Sequence, residues 1–149
     1  MLNQLEYCLD WFRTAKPSST LTSKDLHTQL GVHFEEVGEM VDSLQGLDAI
    51  TENKLKSLRY HLSDVANHLK TANHTICVGD AVEFLDSLCD QMVTLIGSAH
   101  HTDMNIVEAF AEVNRSNYSK FVDGQAIYDE NRKIAKGPNY FKPDLSKYI

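Results

Sequence analysis

Residues 24–45 read KDLHTQLGVHFEEVGEMVDSLQ and combine an apolar stripe with a dense group of acids. At about 100° per residue, the apolar positions fall within roughly a sixth of a turn of one another. They are Leu26, Leu30, Val37, Val41 and Leu44. Gly31 and Gly38 interrupt the pattern, each at a cost of about 1 kcal/mol relative to Ala. A close helix contact, a ligand or a local irregularity would explain Gly38. The stretch predicts one long amphipathic helix.

Four further segments show apolar residues at helical spacing. They span residues 2–15, 51–71, 80–98 and 105–118. In the second of these, Lys54, Lys56, Arg59 and Lys70 are predicted to be solvated. The third is apolar over a broad arc, which is typical of a helix at the centre of a bundle or at a subunit interface. Residues 123–149 predict an ordered, irregular tail. The sequence therefore predicts an all-α fold, a bundle of about five helices in a single domain of residues 1–149.

Composition narrows the function. The formal net charge of -7 disfavours non-specific binding to nucleic acid. It leaves metal-nucleotide chemistry open, because a divalent cation inverts the local field. Three scattered cysteines fit no disulfide framework. The chain shows neither a signal peptide nor an apolar run long enough for a membrane span. We expect a cytoplasmic protein, in the host cytoplasm if the gene is of phage origin, with no membrane or nucleic-acid partner.

Two groups of acids suggest a metal site. The first is Glu35, Glu36 and Glu39, at helical i, i+3 and i+4 spacing. The second is Glu83, Asp86 and Asp90, within about 60° of one helix face. Like charges so placed repel each other, and Mg²⁺ or Mn²⁺ would offset that repulsion because these cations prefer oxygen ligands. A solvated helix face, helix capping or salt bridges remain as alternatives at this point.

The acid groups resemble a known motif. Glu36-x-x-Glu39 followed by Glu83-x-x-Asp86 is similar to the paired acids of the all-alpha nucleotide pyrophosphohydrolases, which include MazG-like proteins, dimeric dUTPases and phosphoribosyl-ATP pyrophosphohydrolases. The helix predicted over residues 51–71 accounts for the long separation between the two motifs as an insertion. Residues 112–120, EVNRSNYSK, and 133–140, KIAKGPNY, resemble the phosphoribosyl-ATP pyrophosphohydrolase-like branch. Some phage members of that branch, the MazZ-like enzymes, act on deoxyguanosine nucleotides.

The resemblance implies a homodimer or homotetramer that hydrolyses a nucleoside triphosphate to its monophosphate and pyrophosphate, with Mg²⁺ or alternatively Mn²⁺. The implied metal ligands are Glu36, Glu39, Glu83, Asp86 and Asp90. The implied catalytic residues are Glu35, Glu36, Glu39 and Asp86. The register of the second motif is open, because relatives align an acid with either Asp86 or Asp90.

Five tail residues are candidates for substrate contact. They are Asn114, Asn117, Lys120, Lys136 and Tyr140. The amides can donate to phosphate or read a base edge, lysine is a point-charge partner for phosphate, and tyrosine can stack on a base. The alternative is a basic tail that packs on the acidic body of its own or a neighbouring subunit.

Three other functions are weighed against this one. A helical oligomerisation or adaptor module would use the acids for solubility only. A phosphoribosyl-ATP pyrophosphohydrolase would differ only in substrate. Zinc binding through His61, Asp64 and His68, or through His100, His101 and Asp103, matches no known helical zinc motif. We therefore interpret these histidines as surface residues.

Overall fold

The computed structural model describes residues 3–149, which form five α-helices and no β-strand. The helices are α1 (Gln4–Ala15), α2 (Ser23–Asp42), α3 (Ala49–Thr71), α4 (Ala81–His101) and α5 (Ile106–Tyr118). The prediction of an all-α fold with about five helices is confirmed. Leu2, where the first helix was predicted to begin, lies outside the described residues. Between Asn3 and the C terminus, no helix combines the length and apolar character needed to cross a bilayer.

The helices begin at polar capping residues. Asp80 accepts hydrogen bonds from the backbone N–H groups of Val82 and Glu83, both at 3.0 Å, and so caps α4. Thr22 donates its backbone N–H and its hydroxyl to one carboxylate oxygen of Asp25, both at 2.8 Å, at the start of α2. These caps fix where each helix starts, and therefore which residues share a face.

The chain forms two compact units. The first comprises the residues up to Thr20, Val78–Ile127 and Ile134–Ile149, and it holds α1, α4 and α5. The second comprises Leu21–Cys77 and Tyr128–Lys133, and it holds α2 and α3. The prediction of a single domain stays a prediction.

The second unit is a hairpin of α2 and α3. Val41, Ala66 and Leu69 are buried between its helices. Gly31 is also buried, and a Cβ there would lie 2.8 Å from the Ala66 carbonyl oxygen. The glycine that interrupts the apolar stripe is therefore the point where the two helices approach most closely.

Replacing Gly31 with Ala should destabilise this hairpin. The added methyl would also lie 2.8 Å from Cγ of Lys70, so the helices must separate. We expect a loss of about 1–3 kcal/mol in the free energy of unfolding, measured by urea denaturation. Gly97 in α4 is the matched control, since a Cβ there meets nothing within 4 Å. Gly97→Ala should instead stabilise the chain by about 0.5–1 kcal/mol. Equal effects of the two substitutions would contradict the close approach at Gly31.

The first unit is built around an α1–α5 contact. Trp11 is 6% exposed, and its indole N–H donates to the Asn117 carbonyl at 2.9 Å. Its ring stacks on Phe121 with centroids 5.8 Å apart. Tyr7 stacks on Tyr118 at 4.4 Å. This aromatic cluster is the core of the unit.

Helix α4 also belongs to the first unit, yet none of the residues of Ala81–His101 is buried. Its large apolar side chains are exposed. They include Val82, Leu85, Met92, Val93, Leu95 and Ile96. The broad apolar arc predicted for this helix is therefore present and uncovered.

Candidate functional site

The acids of α2 differ in their surroundings. Glu36 and Glu39 are exposed, whereas Glu35 is half-buried. Lys70 of α3 donates to one oxygen of Glu35 at 2.8 Å, and Lys133 donates to the other at 3.0 Å. Both oxygens of Glu35 are therefore held by ammonium groups, while those of its two neighbours face solvent.

The two lysines change the acidity of Glu35. Burial acts to raise its pKa, but the hydrogen bonds and positive charges of Lys70 and Lys133 outweigh burial and lower it below the ordinary value of 4.5. A weakly basic carboxylate with both oxygens engaged is a poor proton acceptor. Among the predicted catalytic residues of α2, Glu36 and Glu39 are thus better suited than Glu35 to bind a cation or activate water.

Gly38 lies beside an arginine of α3. A Cβ at Gly38 would collide with the guanidinium of Arg59, which binds Asp42 at 2.7 Å. A close helix contact therefore accounts for this glycine. The prediction that Arg59 and Lys70 are solvated is wrong, because each side chain crosses to an acid of α2. Lys54 and Lys56 are exposed as predicted.

The acids of α4 all lie on one continuous helix. Glu83, Asp86 and Asp90 are exposed. Because the helix is unbroken, their spacing puts them on one face, as the sequence predicted. This face lies in the N-terminal half of α4, next to the exposed apolar residues. Exposed carboxylates at this spacing fit a hard cation that keeps part of its water shell.

The five remaining acids of the two groups have no partner. Within residues 3–149, the structure gives no side-chain hydrogen bond or ion pair to any of them. They are Glu36, Glu39, Glu83, Asp86 and Asp90. By contrast, Glu35, Asp42 and Glu112 are paired with basic side chains. The predicted metal ligands are thus the acids that the described residues leave unneutralised.

Metal sharing between the two groups is a separate question. Helix α2 belongs to the second compact unit and α4 to the first. In the described part of the chain, no three His, Cys, Asp or Glu side chains are close enough together to hold a metal ion. A cation shared by both groups stays a prediction.

Three of the predicted substrate residues lie along α5 and just after it. Asn114 is 1% exposed, and its amide donates to the backbone and side-chain oxygens of Gln4 at 2.9 and 3.0 Å. Lys120 donates to the side chain of Asn117 at 2.7 Å and lies over the Trp11 ring at 5.6 Å. The Asn114 amide therefore acts within the α1–α5 contact, while Asn117 and Lys120 form a half-buried pair.

The other two predicted substrate residues lie in the tail. The ammonium of Lys136 lies 4.7 Å from the centroid of the Tyr140 ring. Gly137 donates its backbone N–H to the Lys120 carbonyl at 3.1 Å, which ties this part of the tail to the end of α5. The structure thus brings the segments of Lys120, Lys136 and Tyr140 together in the first unit.

Sequence reasoning missed a polar cavity in the second unit. The cavity has a volume of about 340 Å³. It is lined by Asn67, Lys70, Thr71, Asp129, Asn131 and Lys133. The available signal was the turn near Gly46, which folds α3 back along α2 and places a basic residue at the end of α3 opposite the middle of α2.

Comparison of the chain with protein-family models, curated proteins and solved structures finds no match in any of the three.

Proposed function

We propose that this protein is a Mg²⁺-dependent nucleoside triphosphate pyrophosphohydrolase that converts a (d)NTP and water into a (d)NMP and pyrophosphate. The observation that supports it is the set of unpaired acids at helical spacing on α2 and α4. The motif resemblance adds the reaction class and the preference for deoxyguanosine nucleotides. Phosphoribosyl-ATP is the alternative substrate. The reaction belongs in the cytoplasm, where these nucleotides are found.

The proposed roles follow from charge and exposure. Glu36 and Glu39 on α2, with Glu83 and Asp86 on α4, would hold the cation; Asp90 extends the second group by one turn. A bound Mg²⁺ would offset the charge of the polyphosphate and acidify a water molecule. Lys120 and Lys136 would contact phosphate, and Tyr140 would stack on the base. Mn²⁺ has the same ligand preference and would substitute.

The exposed apolar face of α4 supports a homo-oligomer. The chain exposes 10594 Å². A folded monomer of this mass exposes about 7,700 Å², and even two separately folded units of the sizes seen here would expose only about 9,200 Å². The excess of about 1,400 Å² per chain amounts to about 2,800 Å² for a pair, within the range of obligate homodimers. A second copy of the chain is therefore the proposed cover for α4, in a homodimer or homotetramer.

Charge at the centre of this face should break the oligomer. Val93 on α4 is 67% exposed, so Val93→Glu costs little in the isolated chain but buries a carboxylate at the proposed interface. We expect at least about a tenfold weaker association by sedimentation equilibrium. Val107 on α5 is 70% exposed, and Val107→Glu is the control that should leave association unchanged. A monomeric wild-type protein, or equal behaviour of both variants, would contradict the α4 interface.

The same apolar face favours a second candidate function, a non-enzymatic adaptor. A thermal-shift measurement separates the two functions. The enzyme should be stabilised by Mg²⁺ or Mn²⁺ together with a non-hydrolysable nucleoside triphosphate, by about 2.7 kcal/mol at a hundredfold excess over Kd. Metal alone and nucleotide alone are the controls. An adaptor would show no stabilisation by the pair, and that result would reject the proposed enzyme.

A further inference from the structure

The cavity in the second unit, lined by Asn67, Lys70, Thr71, Asp129, Asn131 and Lys133, is named here the lysine pocket. Its volume of about 340 Å³ lies in the range of small-molecule sites. Unlike most such sites, its lining is polar throughout. A polar pocket of this size selects a ligand by charge and hydrogen bonding rather than by apolar contact.

The charge of the pocket comes from two lysines held in place. Lys70 and Lys133 each direct one ammonium N–H to Glu35, at 2.8 and 3.0 Å. An ammonium group has three donors, so each lysine keeps two for a ligand. The pair carries one more positive charge than Glu35 neutralises. Glu35 therefore acts as a positioning residue that fixes two donors near one point.

The other charges near the pocket are already bound. One oxygen of Asp129 accepts the backbone N–H groups of Asn131 and Lys133, both at 2.9 Å, and so shapes the loop. The C-terminal carbonyls of α3 would repel an anion. Lys24 donates to two carbonyl oxygens at this end, those of Lys70 and Ala72. The acceptors that would oppose an anion are thus largely satisfied.

The loop that carries Lys133 is anchored before any ligand binds. Thr28 of α2 donates its hydroxyl to the Asn131 carbonyl at 2.7 Å. Arg132 binds Asp25 through two hydrogen bonds at 3.0 Å. An anchored loop lowers the entropy cost of binding. The side-chain amides of Asn67 and Asn131 have no hydrogen bond among residues 3–149 and supply further donors.

The geometry points to the lysine pocket as a binding site for a phosphoryl group, carried by a nucleotide or by pyrophosphate. Two ammonium groups disfavour a cation, and the polar lining disfavours an apolar ligand. Phosphate oxygens accept several hydrogen bonds at once and match a cluster of lysine and amide donors. The inference rests on the proposed function, since it assigns a place for the substrate's or product's phosphates.

Binding is tested without metal, so that its outcome is independent of turnover. Calorimetric titrations in EDTA use pyrophosphate, inorganic phosphate, a nucleoside monophosphate, and the nucleoside and acetate as negative arms. We expect the three phosphoryl ligands to bind, and the nucleoside and acetate to be silent. Lys133→Gln should weaken pyrophosphate binding at least about tenfold. Lys133→Arg keeps the charge and should retain binding. Lys54→Gln, at an exposed position of the same helix as Lys70, should change nothing.

Three results would overturn the inference. They are no binding of any phosphoryl ligand, unchanged binding by Lys133→Gln, or equal binding of the nucleoside or acetate. Far-UV circular dichroism of each variant confirms that a loss of binding is not a loss of fold. A protein that binds pyrophosphate here but hydrolyses no nucleotide would keep the lysine pocket and reject only the proposed reaction.

Discussion

Glu39→Gln should lower kcat/KM for nucleotide hydrolysis by at least about 100-fold while leaving the free energy of unfolding nearly unchanged. The amide keeps the shape of the side chain but removes the charge that would hold the cation. Glu39 is exposed and has no partner among residues 3–149, so the fold does not depend on it. Steady-state kinetics with Mg²⁺ and thermal unfolding measure the two effects. Asp86→Asn on α4 should behave in the same way.

The control for this prediction is another exposed acid. Glu130 lies outside both acid groups, and Glu130→Gln removes the same charge from the chain. It should leave kcat/KM within about twofold, because surface charge at a distance is screened by salt. Full activity in Glu39→Gln, or an equal loss in Glu130→Gln, would refute the assignment of Glu39 as a ligand.

Trp11→Ala should destabilise the first unit by about 3–5 kcal/mol. The substitution empties the centre of the α1–α5 contact and leaves the Asn117 carbonyl without the indole donor at 2.9 Å. For a protein of this size, the melting temperature should fall by about 10 °C or more. Far-UV circular dichroism must report the transition, because Trp11 is the only tryptophan.

Two further variants calibrate this loss. Trp11→Phe keeps an aromatic ring and should lose chiefly the hydrogen bond, about 1 kcal/mol. Tyr60→Ala removes a side chain of α3 that is 68% exposed and should change stability by less than about 0.5 kcal/mol. If Trp11→Ala cost no more than Tyr60→Ala, the aromatic cluster would not be the core of the unit.

Helix positions could be predicted from the sequence because helical periodicity and caps are local. The stripe from Leu26 to Val41 and the cap at Asp80 each depend on residues within a few turns of one another. The same local logic placed Glu83, Asp86 and Asp90 on one face of α4. These features need no knowledge of what packs against the helix.

The pairing of side chains could not be predicted, because it depends on how distant segments meet. Glu35 is bound by Lys70 and Lys133, which are far from it in sequence. Asn114 faces Gln4 across the α1–α5 contact. The two glycines of α2 were ambiguous for the same reason, since only the position of α3 reveals that Ala66 and Arg59 lie against them.

The central claim, that acids of α2 and α4 share a cation that binds a polyphosphate, is tested most directly by a hydrolysis panel. Purified protein is incubated with Mg²⁺ and a set of ribo- and deoxyribonucleoside triphosphates plus phosphoribosyl-ATP, and monophosphate and pyrophosphate are measured separately. The account predicts equal amounts of the two products from at least one nucleotide, abolished by EDTA and by either Glu39→Gln or Asp86→Asn. No turnover of any nucleotide in the panel, or turnover that survives in both variants, would contradict it.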